Sequence, residues 1–139
     1  HIIGKGKTIS VEKRLNLKGD GTFYLEGVST EDRKLNYIPS LYITKEIIQR
    51  LKSGDYIGVY TDKKGLDVSH VGILIKKEGK IFLRHASSDK AYRRVVDQEF
   101  KSYITKMPGI IIMRPVQEVQ KDEAEDRGSL SLPQSRSLP

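Results

Sequence analysis

Residues 65–87, GLDVSHVGILIKKEGKIFLRHAS, constrain this chain more than any other segment. Two apolar runs rich in β-branched residues flank the polar sequence KKEGK, a pattern typical of a β-hairpin with a tight turn. His70 lies near the start of the first run, and His85 lies at the end of the second. The only other histidine is His1. The sequence therefore predicts a hairpin over Val68 to Ala86 that carries two imidazoles.

The length of the turn decides whether these two rings can meet. A two-residue turn at Glu78 and Gly79 places His85 opposite Gly72, and a four-residue turn keeps the same register. Because opposed residues point to the same face, His70 and His85 then become diagonal neighbours with Cα atoms about 7–8 Å apart. A three-residue turn sends His85 to the other face. In the first register the small Gly72 is expected to leave a gap for the His85 ring.

A pair of imidazoles on one face is compatible with several kinds of site. Zinc needs three or four ligands, and the only further candidates nearby are Asp67 and Asp89, so a metal site is weakly supported. A nucleic-acid surface would need interleaved aromatic residues, and the hairpin offers Phe82 alone. A general base oriented by a second polar group fits two adjacent histidines. Ordinary half-buried histidines that bind backbone carbonyls remain the structural alternative.

The other segments predict short strands and two short helices. These are a strand over 8–11, a loosely patterned segment over 31–39, a helix with Thr44 as its N-cap, strands over 55–61 and 93–96, a helix over 97–103 that begins at Asp97, and a buried strand over 109–115. Strands dominate this order, so we expect an α+β fold built on an antiparallel β-sheet or a small barrel with short helices.

The composition bounds the domain organisation. The 139 residues are 37% hydrophobic, enough for one domain, which we place at residues 1–116. Residues 117–139 hold five acidic residues among Ser, Leu and Pro and show no apolar period, so they predict a disordered acidic tail. The sequence has no run of 18 apolar residues and no signal-peptide pattern at its first residues. With no cysteine, the chain contains no thiol nucleophile.

The charge supports a second interpretation. The net charge is +7, and residues 1–116 hold 22 basic and 13 acidic residues, hence about +9. Such a surface favours anionic polymers, so the alternative function is a non-catalytic basic module that binds a cell-wall polymer or nucleic acid. Scattered solvated lysines are the simpler explanation of the charge, and nucleic acid is not favoured as a partner.

Several segments resemble a known enzyme family. The sequences SGDYIGVYTDKKGLDVSHVGILI, GKIFLRHASS, RRVVD and GIIIMRP resemble the N-acetylmuramoyl-L-alanine amidase-like family of the NlpC-type superfamily of papain-like cell-wall hydrolases. The resemblance covers about Ser53 to Pro115 well and Glu31 to Pro39 loosely. It implies the sheet half of a papain-like domain, a peptidoglycan or muropeptide substrate, no cofactor or metal, and a periplasmic or secreted parent protein.

The resemblance also implies roles for particular residues. In such enzymes a cysteine at a helix N-terminus attacks an amide of the peptidoglycan stem peptide or its junction with muramic acid. By position, the base is His70 and the residue that orients it is His85. Asp67 and Ser69 flank the base, and Ser87 lies opposite it, so these three are candidate substrate contacts.

The chain departs from the family at the nucleophile. It contains neither a cysteine nor a clear helix before residue 44. We therefore expect it to be the C-terminal part of a larger enzyme, inactive alone, with the nucleophile helix missing. The alternative is a diverged or truncated relative without hydrolytic activity. One apolar sheet face should then be uncovered, which favours self-association.

Overall fold

The computed structural model describes residues 3–4 and 6–116, which form seven strands and two short helices. In chain order these are β1 (Ile9–Leu15), β2 (Glu31–Pro39), α1 (Lys45–Arg50), β3 (Tyr56–Tyr60), β4 (Val68–Lys77), β5 (Lys80–Ala86), β6 (Val95–Glu99), α2 (Phe100–Thr105) and β7 (Gly109–Met113). A single 3-10 turn, Ser40–Tyr42, precedes α1. The predicted tail at 117–139 lies outside the described residues.

All seven strands belong to one antiparallel sheet. Its order is β1-β2-β7-β3-β4-β5-β6, and every neighbouring pair runs antiparallel. The predicted antiparallel sheet with short helices is thus confirmed, and the described part of the chain is mostly β. The two edge strands, β1 and β6, do not pair with each other, so the sheet is open and the alternative of a small barrel is wrong.

The β4–β5 hairpin has the two-residue turn on which the sequence argument depends. Lys77 lies opposite Lys80, and Ile73 lies opposite Arg84. Between them, Glu78 and Gly79 have φ values of 53° and 74°, the left-handed pair that a type I′ turn requires. This turn matches the twist of the two strands and fixes their register along the whole hairpin.

The core lies on one face of the sheet, beneath α1 and α2. Thr44 caps α1 as predicted, since its side chain accepts a hydrogen bond from the Ile47 N–H. The buried cluster consists of Ile38, Ile43, Ile47, Leu51, Ile57, Leu74, Leu83, Phe100, Ile104 and Ile110. His70 pairs with the buried Val59 and therefore points to this same face. None of the helices among the described residues is both long and apolar enough to cross a bilayer.

The opposite face of the sheet exposes apolar side chains. Tyr56 pairs with both Ile73 and Met113, so these three lie side by side. Together with Val71, they are between 37% and 56% exposed. Self-association through an uncovered sheet face stays a prediction.

The region of β6 and α2 differs from the prediction. The strand continues to Glu99, whose side chain caps α2 by accepting hydrogen bonds from the N–H groups of Lys101 and Ser102. The predicted N-cap, Asp97, is a strand residue. Its carboxylate accepts two hydrogen bonds of 2.8 Å from Arg84 on β5. The cross-strand guanidinium therefore takes the carboxylate that the sequence pattern had assigned to a helix start.

Candidate active site

His70 and His85 are in direct contact. Nε2 of His70 lies 2.9 Å from Nδ1 of His85, a hydrogen-bond distance. The ring centroids are 4.9 Å apart and the planes are almost perpendicular, at 89°. His85 is only 6% exposed, whereas His70 is half-buried. The predicted meeting of two imidazoles on one face is thus what the structure shows.

Gly72 contributes to this contact in a different way from the one expected. A Cβ atom at Gly72 would lie 2.7 Å from Cδ1 of Leu83 and 2.9 Å from the carbonyl oxygen of Arg84. The expected gap for the His85 ring is therefore wrong, because Leu83 fills the space over the glycine. Gly72 instead lets β4 and β5 approach closely while Leu83 keeps its place in the core.

A β-bulge lies directly before the first histidine. Val59 of β3 pairs with His70, but the next residue, Tyr60, pairs with Val68, so Ser69 is the extra residue of β4. A regular strand would point Ser69 away from His70. The bulge re-aims the side chain, and both residues line the same groove.

The loop that leads into β4 is held by a lysine. Nζ of Lys13 on β1 donates to the carbonyl oxygens of Leu66 at 2.6 Å and Lys63 at 3.1 Å, and also to that of Thr61. Burial lowers the pKa of Lys13, and the nearby carboxylates of Asp62 and Asp67 partly oppose this. The ammonium therefore fixes the backbone shortly before the bulge and His70.

A groove of about 720 Å³ opens beside the histidine pair. Its walls come from β4, β5, β6, the loop after β5, and α2. Ser69 and Ser87, two of the predicted substrate contacts, line it. Asp67 is outside the groove lining, and its carboxylate accepts a hydrogen bond of 2.8 Å from the Val68 N–H. The roles of these three residues in substrate contact stay predictions.

Gln98 is a polar residue of the site that the sequence argument missed. Its side-chain oxygen Oε1 is hydrogen bonded to Nε2 of His85. Gln98 on β6 pairs with Leu83 on β5, and Leu83 and His85 are two residues apart on the same strand. Gln98 therefore points to the same face as His85. Strand periodicity could have found it, because Gln98 lies two residues after Val96 and thus on the same face, but only with β6 extended beyond Val96.

Burial favours the neutral forms of His70 and Tyr103. The pKa of His70 is lowered, mainly because burial disfavours the imidazolium and also because a charged His85 would repel it. Tyr103 of α2 packs against His85 with ring centroids 5.0 Å apart, and burial raises the pKa of its phenol. At neutral pH His70 is therefore an unprotonated imidazole with a proton-accepting nitrogen.

The described residues offer no ready metal site around the histidines. No group of three or more His, Asp or Glu side chains among them is arranged to hold an ion. Asp89, which the sequence raised as a ligand, binds its own loop, since its carboxylate accepts a 3.0 Å hydrogen bond from the Ala91 N–H.

Comparison with known families decides where the chain belongs. Residues 2–110 match the model of the AmiA-like family, described as N-acetylmuramoyl-L-alanine amidase-like, over most of the chain. The chain belongs to this amidase-like family. This membership agrees with the resemblance carried by the SHVGI and RHAS sequences. No curated protein matches the chain.

Solved structures share the fold of this amidase-like chain. A protein from Legionella pneumophila superposes with a TM-score of 0.61 and 20% identity, over 76% of this chain and 50% of that one. An N-acetylmuramoyl-L-alanine amidase from Bacteroides uniformis gives TM-scores of 0.58 and 0.55 in two structures. These two are 22% and 21% identical, over 77% and 80% of this chain. The chain spans about half to three fifths of these proteins, 54% and 59% for the two amidase structures.

Proposed function

We propose that this chain carries the general-base part of a peptidoglycan amidase active site. His70 accepts the proton of the nucleophile, and His85 orients His70. The observation that carries the proposal is the 2.9 Å contact between the two imidazoles at the wall of a groove of substrate size. The amidase-like family supplies the substrate class, since it implies peptidoglycan.

The nucleophile in this proposal is a thiol, as in a Cys-His-His mechanism of the NlpC-type, papain-like superfamily. The 139 residues contain no cysteine, so the thiol comes from residues outside this sequence. The free nitrogen of His70 takes the thiol proton while sulfur attacks the amide carbonyl carbon. The imidazolium then gives this proton to the amine nitrogen as the C–N bond breaks. The acyl group remains on the sulfur as a thioester, which water hydrolyses.

Three further assignments belong to the same proposal. Ser69 and Ser87 line the groove, and their hydroxyl groups can bind the amides of a stem peptide. Asp67, two residues before the groove-lining Ser69, is the third proposed substrate contact. The parent protein acts where peptidoglycan lies, in the periplasm or outside the cell.

The experiment is hydrolysis of purified peptidoglycan by the natural polypeptide that carries these residues. Mass spectrometry of the products identifies the amide bond that is broken, and prior treatment with a thiol-alkylating reagent tests the nucleophile. The proposal predicts cleavage of an amide in the stem peptide or at its junction with muramic acid, abolished by alkylation. The absence of cleavage contradicts the proposal as a whole. Cleavage that continues after alkylation contradicts a thiol nucleophile.

The charge favours a second candidate, a basic module that binds an anionic polymer without cleaving it. Residues 1–116 carry 22 basic against 13 acidic residues. Binding of this kind releases counterions and weakens steeply with salt. Titration with a teichoic-type polymer or with nucleic acid at several ionic strengths separates the two functions. Binding that salt does not weaken, or no binding, excludes the module.

A further inference from the structure

The two histidines continue into a third polar side chain. His70 on β4, His85 on β5 and Gln98 on β6 lie on the same face of three neighbouring strands. Both ring nitrogens of His85 are engaged, Nδ1 by His70 and Nε2 by Gln98. Because the residue is only 6% exposed, these two side chains are the hydrogen-bond partners that its nitrogens have in the structure.

A neutral imidazole has one N–H donor and one acceptor nitrogen, and its neighbours decide which is which. Gln98 presents its carbonyl oxygen, which can only accept a hydrogen bond. With the Gln98 amide in this orientation, His85 carries its proton on Nε2, and its Nδ1 is left as an acceptor. That acceptor faces Nε2 of His70, which must in turn carry the proton of the His70 ring.

We infer that Gln98 is a positioning residue that sets the direction of this hydrogen-bond chain and leaves Nδ1 of His70 as the basic nitrogen. Gln98 acts through His85 and does not take part in the proton transfer itself. If Gln98 is removed, His85 can place its proton on either nitrogen. His70 then loses the constraint that keeps Nδ1 free, and part of its population is in the wrong tautomer for a base. This inference rests on the proposed function for its meaning, but the tautomers can be measured without any hydrolysis.

The position of Gln98 supports a specific role. Neighbouring Asp97 and Glu99 are used elsewhere: Asp97 binds Arg84 on the opposite face, and Glu99 caps α2. Neither carboxylate is a hydrogen-bond partner of His85. The residue that reaches His85 is a neutral amide, which fixes a tautomer without adding a charge that would favour the imidazolium.

The test is NMR spectroscopy of the imidazole nitrogens in the chain at a pH where both rings are neutral. Long-range proton–nitrogen correlations distinguish protonated from unprotonated ring nitrogens. In the wild type we expect protons on Nε2 of both His70 and His85. In Gln98→Leu we expect His70 to show a mixture of tautomers or the opposite one. Gln98→Glu keeps an acceptor oxygen at the site, so it should retain the wild-type tautomers and favour protonation of the pair at a higher pH.

Gln49→Leu is the matched control, because Gln49 is exposed on α1 and the chemical change is identical. It should leave both tautomers as in the wild type. A proton on Nδ1 of His70 in the wild type overturns the inference. Wild-type tautomers of both histidines in Gln98→Leu, or the opposite tautomers in Gln98→Glu, overturn it as well. These results hold whether or not the natural polypeptide cleaves peptidoglycan, so failure here is distinct from failure of the proposed function.

Discussion

Nε2 of His70 and Nδ1 of His85 lie within hydrogen-bond distance, at 2.9 Å, although 15 positions separate the two residues in the chain. The contact follows from one local choice, the two-residue turn of the β4–β5 hairpin. A single inserted residue in that turn would reverse the face of every side chain on one strand. The geometry of the candidate site is therefore decided by a turn that lies six to eight residues from each histidine. Substitutions in the hairpin test this dependence.

The turn itself provides the first prediction. Gly79 has a φ value of 74° and no atom within 4 Å of an added Cβ, so Gly79→Ala tests backbone strain alone. We expect a loss of about 1–2 kcal/mol in the free energy of unfolding. Glu78→Asn should gain up to about 1 kcal/mol, because Asn adopts the left-handed region more readily than Glu. Denaturant unfolding measures both, and equal stability of the alanine variant and wild type would argue against a type I′ turn.

Gly72 provides the second prediction. In Gly72→Ala the new methyl group must displace Leu83 or separate β4 from β5, since its nearest atoms lie 2.7–2.9 Å away. The expected cost is about 1–3 kcal/mol, and the His70–His85 contact should lengthen. Gly19→Ala is the control, because its Cβ would meet only Lys64 at an ordinary 3.6 Å. Similar stabilities for the two alanine variants would contradict the close approach at Gly72.

Much of the fold could be predicted because it depends on local chemistry. The turn at Glu78 and Gly79 follows from the polar sequence between two apolar runs, and the cap at Thr44 follows from the apolar spacing after it. From these two signals the sequence located the histidine hairpin and the first helix. The face shared by His70 and His85 then followed from strand periodicity.

The missed features depend on contacts between distant segments. The bulge that turns Ser69 toward the groove results from how β3 pairs with β4, which no pattern within β4 encodes. Asp97 resembles a helix N-cap locally, but Arg84 on the neighbouring strand takes its carboxylate. Because Asp97 predicts the start of a helix, the predicted strand ends at Val96. The sequence therefore misses Gln98, the second hydrogen-bond partner of His85.

Two arginine–aspartate pairs of similar geometry differ in burial and provide the third prediction. Asp55 has a 2% exposed side chain and accepts two 2.8 Å hydrogen bonds from Arg114. Arg114→Met leaves that carboxylate without its partner. We expect a loss of about 2–3 kcal/mol, below the range for a fully buried pair because Arg114 is partly exposed. Arg84→Met, at the more exposed pair with Asp97, should cost less than about 1 kcal/mol.

The pH dependence of this difference has a definite sign. The Arg114 guanidinium holds the pKa of Asp55 below its ordinary value, so the folded state binds this proton less readily than the unfolded state. The stabilisation is present above the ordinary Asp pKa of about 3.9 and is lost as the pH falls through the lower folded value. The difference in the free energy of unfolding between wild type and Arg114→Met should therefore become smaller below about pH 4. A difference in the free energy of unfolding that grows in acid would contradict the stabilising role of the Arg114–Asp55 pair.

The titration of His70 provides the fourth prediction. Its pKa lies below the ordinary value of about 6.5, chiefly through burial and secondarily through His85. The other ionisable side chains that line the groove are Asp89, Tyr92, Glu99, Tyr103 and Lys106. NMR titration of the ring protons should show His70 protonating below the unfolded value. Because the unfolded state then takes the proton first, this group should lower stability as the pH falls from about 6.5 toward the folded pKa. A His70 pKa above 6.5 would contradict the buried, neutral base.

The most direct test of the account is the rate of peptidoglycan amide cleavage by the natural polypeptide with and without the His70 imidazole. His70→Ala should retain the thermal unfolding midpoint to within a few degrees, since the ring is half-buried at the edge of the core. Lys80→Ala, at the exposed first residue of β5, serves as the control. Loss of a general base predicts a fall in kcat/KM of about 10²–10⁴-fold for His70→Ala and little change for the control. Folded His70→Ala that cleaves at the rate of the wild type would contradict the central claim.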